Sequence, residues 1–517
     1  MTIKNKNLST TISIIFLVFF SITINQYYGY IGILPIDSFL IFNSGYDLMN
    51  GYYPFKDYWT IKEPFIDLLQ AIFFKLFGVS WFSYVLHASI FNCLITISTF
   101  FLLKKFKLSN YICLFYSFCV AVLFYPTVGT PFSDHHTLII CLFSLYSFIL
   151  AIDTKKSIYW FLTPILLGFA FMSKQAPTVY LIFLITIISI IFFIKLKSIS
   201  SFISALLGGL TFLVLFFVLF FLAEININDF FVQYFLYPQS LGESRLEWLF
   251  PFEFKRIIWR YKLQYLSISI LFYLLIKFSL SKKTKVLPDY LIIFSVIFFC
   301  FLTIVHQLMT INAIFIYCLI PIFCGISHIY SKKFLTQEKI IGKFLITLTL
   351  CSTVYYYFSY VKNRTFMDLR GINLENSIDG EVVHSELSKI KWITMFFPNN
   401  PTQEAANIKL AFKILKEDNN KKMLITDYQF ISVFLNQYDF SPTRFWYDFH
   451  GYPTEKNMHF DYWKKFVLKK IRKNNIKNIY VLKPLHGESK PLENILNNCY
   501  QKQKFSDNFY KLALTNC

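Results

Sequence analysis

Apolar residues along this chain gather into runs of membrane-crossing length, and lysines break the runs at short intervals. The runs fall at about 11–31, 81–103, 109–126, 133–152, 158–173, 177–194, 201–222, 263–281, 289–308, 311–330 and 340–360. A helix needs roughly 20 apolar residues to cross the hydrocarbon core, so the pattern predicts about eleven spans. The breaks carry Lys4 and Lys6, Lys104, Lys105 and Lys107, Lys155 and Lys156, Lys195 and Lys197, Lys282, Lys283 and Lys285, and Lys332 and Lys333. With these spans every cluster falls on one side, which the positive-inside rule makes the cytoplasm. The N-terminus is then cytoplasmic, and an odd number of spans places everything after residue 361 outside a plasma (inner) membrane, together with the first outer loop, 32–80.

The polar stretches have their own periodicities. Within the first outer loop, 38–50 reads as an amphipathic helix ended by Gly51, and PFIDLLQAIFFKLFG, 64–78, as a second one opened by Pro64 and closed by Gly78. The second carries Asp67 and Lys75 and is too short to span, so it is expected to lie along the interface. Beyond the last run, TQEAANIKLAFKILKED and FDYWKKFVLKKIRKN read as helices, and KKMLITDYQF and NIKNIYVLK begin or end as strands. The expected architecture is a polytopic α-helical membrane domain, 1–361, followed by an extracytoplasmic α/β domain, 362–517.

Composition agrees with a bilayer as the solvent: 517 residues, 55% hydrophobic and 20% aromatic. The net charge of +20 comes from lysines scattered over short loops and the tail, without the concentrated basic face that nucleic acid requires. Eight of the ten cysteines lie in apolar runs and no CxxC occurs, so they read as packing residues; Cys499 and Cys517 lie in the tail, where spacing alone does not decide a disulfide. The apolar run after Lys4 and Lys6 is too long for a signal-peptide core and reads as a retained span.

Candidate chemistry sits where runs meet loops. In GILPIDSF, Asp37 stands at the boundary as a base or as the N-cap of the helix at 38–50. In YWTIKEPF, Lys62 precedes a helix start, where a lipid phosphate could bind, although an ordinary snorkelling lysine would look the same. PFSDHHTL opens a span with Asp134, His135 and His136; Asp134 is a cap or a ligand. The loop 223–262 offers Arg245 and Arg256, which could clamp a phosphate or simply face water. His306 and Gln307 end a span on the same side. FWYDFHGY, 445–452, reads as an aromatic cluster at a strand edge.

The run IDSFLIFNSGYDLMNGYYPFKDYWTIKEPF, followed by a short helix ending in FG, resembles the first outer loop of the GT-C membrane glycosyltransferases. The nearest branch holds protein O-mannosyltransferases, aminoarabinose transferases of lipid A and bacterial Rgt-like enzymes. LLGFAFMSKQAPTVYLIF, 166–183, resembles the family's small-residue span closed by a lysine. The resemblance implies that Asp37 is the general base or orients the acceptor, with Ser38 where the branch usually has Glu. It implies that Lys62, separated from Pro64 by Glu63, and Lys174 hold the donor phosphate, with Arg245 and Arg256 as further candidates. Asp134 and His136 resemble a metal motif of the oligosaccharyltransferase branch, so a divalent cation, Mg or Mn, would need them and Asp37 to converge; His306 is a further cavity candidate. FWYDFHGY departs from that branch's WWDYG by two inserted residues, and no role is carried across. The implied reaction is inverting transfer of a sugar from a polyprenyl-phosphate donor to a hydroxyl of a glycan, lipid or protein acceptor. Two other readings stay open: a transporter or flippase of lipid-linked glycans, and a non-catalytic scaffold of a glycan-assembly complex.

Overall fold

The computed structural model describes residues 3–247, 253–280, 287–312, 314–448, 450–485, 492–497 and 499–515. Helix α1 (Ile3–Tyr28) leads into a loop with short α2 (Pro35–Ser38), α3 (Leu40–Met49) and α4 (Pro64–Phe77). The bundle continues with α5 (Trp81–Lys105), α6 (Asn110–Leu123), α7 (Ser133–Thr154), α8 (Ser157–Ser173), α9 (Gln175–Leu196) and α10 (Ile199–Leu222). After α11 (Ile227–Phe231) and α12 (Tyr237–Glu247) come α13 (Lys262–Ser279), α14 (Leu287–Met309), α15 (Ile320–Phe334) and α16 (Glu338–Tyr356).

Among the described residues ten helical segments are long and apolar enough to cross a membrane. The eleventh expected span, α8, has 17 residues and falls short by length alone. It still returns as far as its neighbour came. Lys155 turns the chain in the left-handed region (φ 58°), and Lys174, one residue past the end of α8, meets Asp134 in the first turn of α7. Seventeen residues rise roughly 25 Å, which is close to the hydrocarbon thickness. Phe217, Phe221 and Leu222 on α10 stay exposed, as a lipid-facing surface requires.

Lys104, Lys107 and Lys332 meet at one end of the bundle, where Lys104 bonds Thr10 and Lys332 Nζ donates to the Lys107 carbonyl at 3.1 Å. The other end carries the 29–80 loop and the tail, interleaved. Strand β1 (Ile378–Asp379) pairs antiparallel with β2 (Lys391–Trp392), and the chain leaving α1 joins them: Gly32 N donates to Lys391 O at 3.0 Å and Ile33 N to Ile393 O at 3.0 Å. Helix α17 (Pro401–Glu417) then leads to β3 (Lys422–Ile425), α18 (Phe430–Phe434), α19 (Phe460–Asn474), β4 (Asn478–Leu482), α20 (Glu493–Leu496), β5 (Tyr500–Lys504) and β6 (Phe509–Leu514). The sheet order is β3-β4-β6-β5, with β3 and β4 parallel and the other pairings antiparallel.

Loop and tail share one core: Phe39, Phe42 and Trp81 pack with Trp392, Phe430 and Leu482. Helices α3 and α4 pack tightly within it, since a Cβ on Gly45 would lie 2.5 Å from Gln70 Cγ. A buried ion cluster adds to this contact. Arg444 donates through Nε to Asp47 at 2.7 Å and through Nη1 to Asp439, with all three side chains out of solvent.

The helix expected at 38–50 is α3, Leu40–Met49, and a separate single turn, α2, precedes it because Pro35 starts it. The loop 223–262 contains α11 and α12. The β5–β6 hairpin was not anticipated. A Cys499–Cys517 pair involves Cys517, which lies outside the described residues.

Candidate active site

Asp37 lies in α2, a single turn begun by Pro35 and fastened by the Leu34 amide donating to Ser38 Oγ at 3.1 Å. Ile36 and Ser38 are buried, whereas Asp37 alone in this turn is half-exposed. Leu34 and Ile36 pack against Phe132, Phe315 and Phe366, which anchors the turn that carries Asp37. The N-cap reading fails: α3 has Phe39 at its N-cap and no side-chain cap. Ser38 holds the turn.

Lys62 reaches the same region. Its Nζ lies 2.8 Å from Glu63 and 4.5 Å from the centre of the Phe445 ring. Burial works against the Lys62 charge, but the carboxylates of Glu63, Asp37 and Asp134 outweigh it and hold the ammonium above the usual lysine range. Glu63 has φ +79°, a left-handed conformation that costs a non-glycine residue about 1–2 kcal/mol, and it turns the chain sharply from Lys62 into α4. The segment before it is pinned to the bundle, since Gln175 Nε2 donates to Ile61 O at 2.7 Å and to Tyr234 O at 2.9 Å.

Lys174, between α8 and α9, donates to both oxygens of Asp134 at 2.7 Å. Asp134 is therefore not the cap of α7, a position held by Phe132; its first-turn place favours the charge while its side chain spans to the neighbouring helix. Lys62 and Arg245 both lie within electrostatic reach of Lys174. Burial lowers Arg245 from its ordinary value, and Asp134, Tyr237 and Tyr180 oppose that shift. His306 is buried next to the same ions, Lys174, Asp134 and Arg245. Its Nε2 has no hydrogen-bond partner among the described residues, an expense that a bound hydroxyl or phosphate would relieve.

His136 does not join them. It faces the opposite side of α7, where Tyr125 meets Nδ1 and His87 Nε2 lies 2.9 Å from His136 Nε2. His87 Nδ1 is 2.9 Å from Gln70 Oε1. An amide oxygen only accepts, so the bonds run one way: Tyr125 to His136, His136 to His87, His87 to Gln70. Both ring nitrogens of His136 are thereby engaged, and Asp134 gives both oxygens to an ammonium. These residues do not fit the expected divalent cation, and among the described residues no three His, Cys, Asp or Glu gather as a metal site.

Arg256 is also elsewhere: its Nη2 donates to Leu308 O at 3.0 Å, fastening the segment before α13 to the end of α14. Two groups were not anticipated. Arg364, fully buried, donates to Ile31 O at 3.0 Å, Pro126 O at 2.7 Å and Val128 O at 2.8 Å, so one guanidinium fixes the chain before Asp37 relative to the loop before Asp134. The stretch FWYDFHGY is brought onto the site instead of lying at a strand edge: Phe445 covers Lys62, and Arg245 acts on His450, whose basicity is lowered by burial first and by that charge second. Nothing local marks Arg364 or Phe445, because each acts on partners more than two hundred residues away.

The bundle of apolar helices thus carries a cluster of one partly exposed acid and several cations at the end that bears the tail. Residues 62–221 match the dolichyl-phosphate-mannose-protein mannosyltransferase family. The match contains Lys62, Asp134 and Lys174 and stops short of Asp37, Arg245, Arg256 and His306. Fold and match together support a membrane glycosyltransferase of the GT-C type. Among curated proteins none matches the chain.

Proposed function

We propose that this protein transfers a sugar from a polyprenyl-phosphate-linked donor to a hydroxyl acceptor at the outer face of the membrane, with inversion at the anomeric carbon. The observation that carries the proposal is the convergence of Asp37, Lys62, Lys174 and Arg245, from four separate chain segments, at the tail-bearing end of the bundle. The acceptor hydroxyl loses its proton to Asp37 as its oxygen bonds to the anomeric carbon. The bond from that carbon to the phosphate breaks, and its electron pair leaves with the lipid phosphate. Lys62, Lys174 and Arg245 balance the charge that develops there. Asp134 is a positioning residue that holds the Lys174 ammonium in place and opposes the loss of charge that burial favours. His306 is placed to donate to a phosphate oxygen or to a sugar hydroxyl. The family match supports a mannosyl-like sugar and a lipid-linked donor as the first substrates to try.

The experiment is incubation of the purified chain with polyprenyl-phosphate mannose or a nucleotide sugar, plus a soluble hydroxyl acceptor, following glycoside and free polyprenyl phosphate. Equimolar glycoside and lipid phosphate, from the lipid donor alone, is the expected result. Movement of the lipid donor across a proteoliposome without glycoside would overturn the proposal in favour of a flippase.

A further inference from the structure

A second charged cleft, of about 440 Å³, lies apart from the cluster around Asp37. Its walls are the Tyr52–Asp57 turn, the connection from α10 to α11, and one face of α19. Lys465, Lys469 and Lys473 stand on that face at successive turns, all exposed, and none has an ion-pair partner among the described residues. Like charges four apart repel one another along a helix. The acids in the cleft are already engaged: Glu224 with Lys56 at 2.9 Å, Asp229 with Tyr462, and Asp57 Oδ2 with the Tyr53 amide at 2.8 Å. Neutral donors leave Asp57 and Asp229 charged, but with Lys56 set against Glu224 the three exposed lysines of α19 still outnumber those two carboxylates, so the cleft is net positive.

The position of this row says which anion reaches it. Tyr462 ties α19 to α11 through Asp229 and, at 3.4 Å, through Asn228. Helix α11 begins five residues after α10 ends, and the chain here presents Phe221 (82% exposed), Leu222 (70%), Ile227 (49%) and Phe231 (48%) to the surroundings. Exposed large apolar residues on both sides of a span end mark the level where hydrocarbon gives way to headgroups. Lysines beside that level meet headgroup phosphates.

We propose that the Lys465, Lys469 and Lys473 face of α19, with the cleft below it, binds the phosphate of an anionic lipid headgroup in the leaflet next to the tail. The site is distinct from the donor site, and no group proposed to act in transfer belongs to it. It would fasten α19 to the membrane surface as well as to the bundle.

The test titrates the detergent-solubilised full chain with dioleoylphosphatidylglycerol, dioleoylphosphatidylcholine and soluble glycerol phosphate, reading bound molecules by native mass spectrometry. The proposal expects phosphatidylglycerol to bind at least about tenfold more tightly than phosphatidylcholine. It expects that preference to vanish in the Lys465→Gln, Lys469→Gln, Lys473→Gln variant and to persist when the three are changed to Arg. Sugar transfer in detergent should be the same in all three proteins, which separates this site from the donor site. A preference that survives in the Gln variant overturns the proposal, as does glycerol phosphate binding as tightly as the lipid. Loss in the Arg variant too would show that the row acts by shape and not by charge, and would also overturn it.

Discussion

Lys62 shows how the site uses charge. Its ammonium is more than four-fifths buried, and it stays charged because Glu63, Asp37 and Asp134 together outweigh the burial. A raised pKa means that the cation is present at all pH values below it and is lost only as pH rises through it, above the ordinary lysine value. Glu63 is the largest of the favourable contributions. In Glu63→Gln, burial is less well opposed, so the pH at which Lys62 loses its proton should fall. If Lys62 holds the donor phosphate, the donor KM of the variant should begin to rise at a correspondingly lower pH than in the wild type, measured between pH 7 and pH 10. Superimposable KM profiles would remove Lys62 from donor binding. Which residues come together was partly legible in the sequence. Asp37, Lys62 and Lys174 each occupy a local motif, whereas His136 was misassigned because the sequence spacing that puts it near Asp134 does not say which face of α7 it takes.

At the level of elements, the fold depends on how the tail is joined to the 29–80 loop. The buried cluster of Arg444 with Asp47 and Asp439, and the Trp59 amide donating to Pro442 O at 2.7 Å, cross between the two. Arg444→Ala would leave two carboxylates buried without their cation, at a cost of about 3–5 kcal/mol. We expect a lower unfolding temperature and faster hydrogen exchange in the 53–60 and 438–446 segments, read by mass spectrometry; exchange unchanged in both would show that the cluster does not hold the contact. The spans and four of the tail elements could be read from the sequence because run length and period report burial directly. The β5–β6 hairpin could not, since QKQKFSDNFYKLAL mixes lysines and glutamines into an edge pair whose pattern is set by its partner β4. The place of FWYDFHGY was equally hidden, because it depends on the fit of tail to loop and not on its own residues.

For the whole molecule, the lysine turns at one end and the site at the other give the chain a direction, and the positive-inside rule supports the proposal that the site faces outward. Under that proposal a donor lipid within the bilayer would meet Lys62, Lys174 and Arg245 at its headgroup, and an acceptor from the aqueous side would meet Asp37. The account rests on Asp37 acting as the base. The most direct measurement is turnover of purified Asp37→Asn with a polyprenyl-phosphate sugar and its acceptor, beside the wild type at equal amounts of folded protein. A general base contributes typically 10²–10⁴-fold, so kcat should fall by about that factor while donor binding, carried by the cations, changes little. Wild-type turnover by Asp37→Asn would contradict the account.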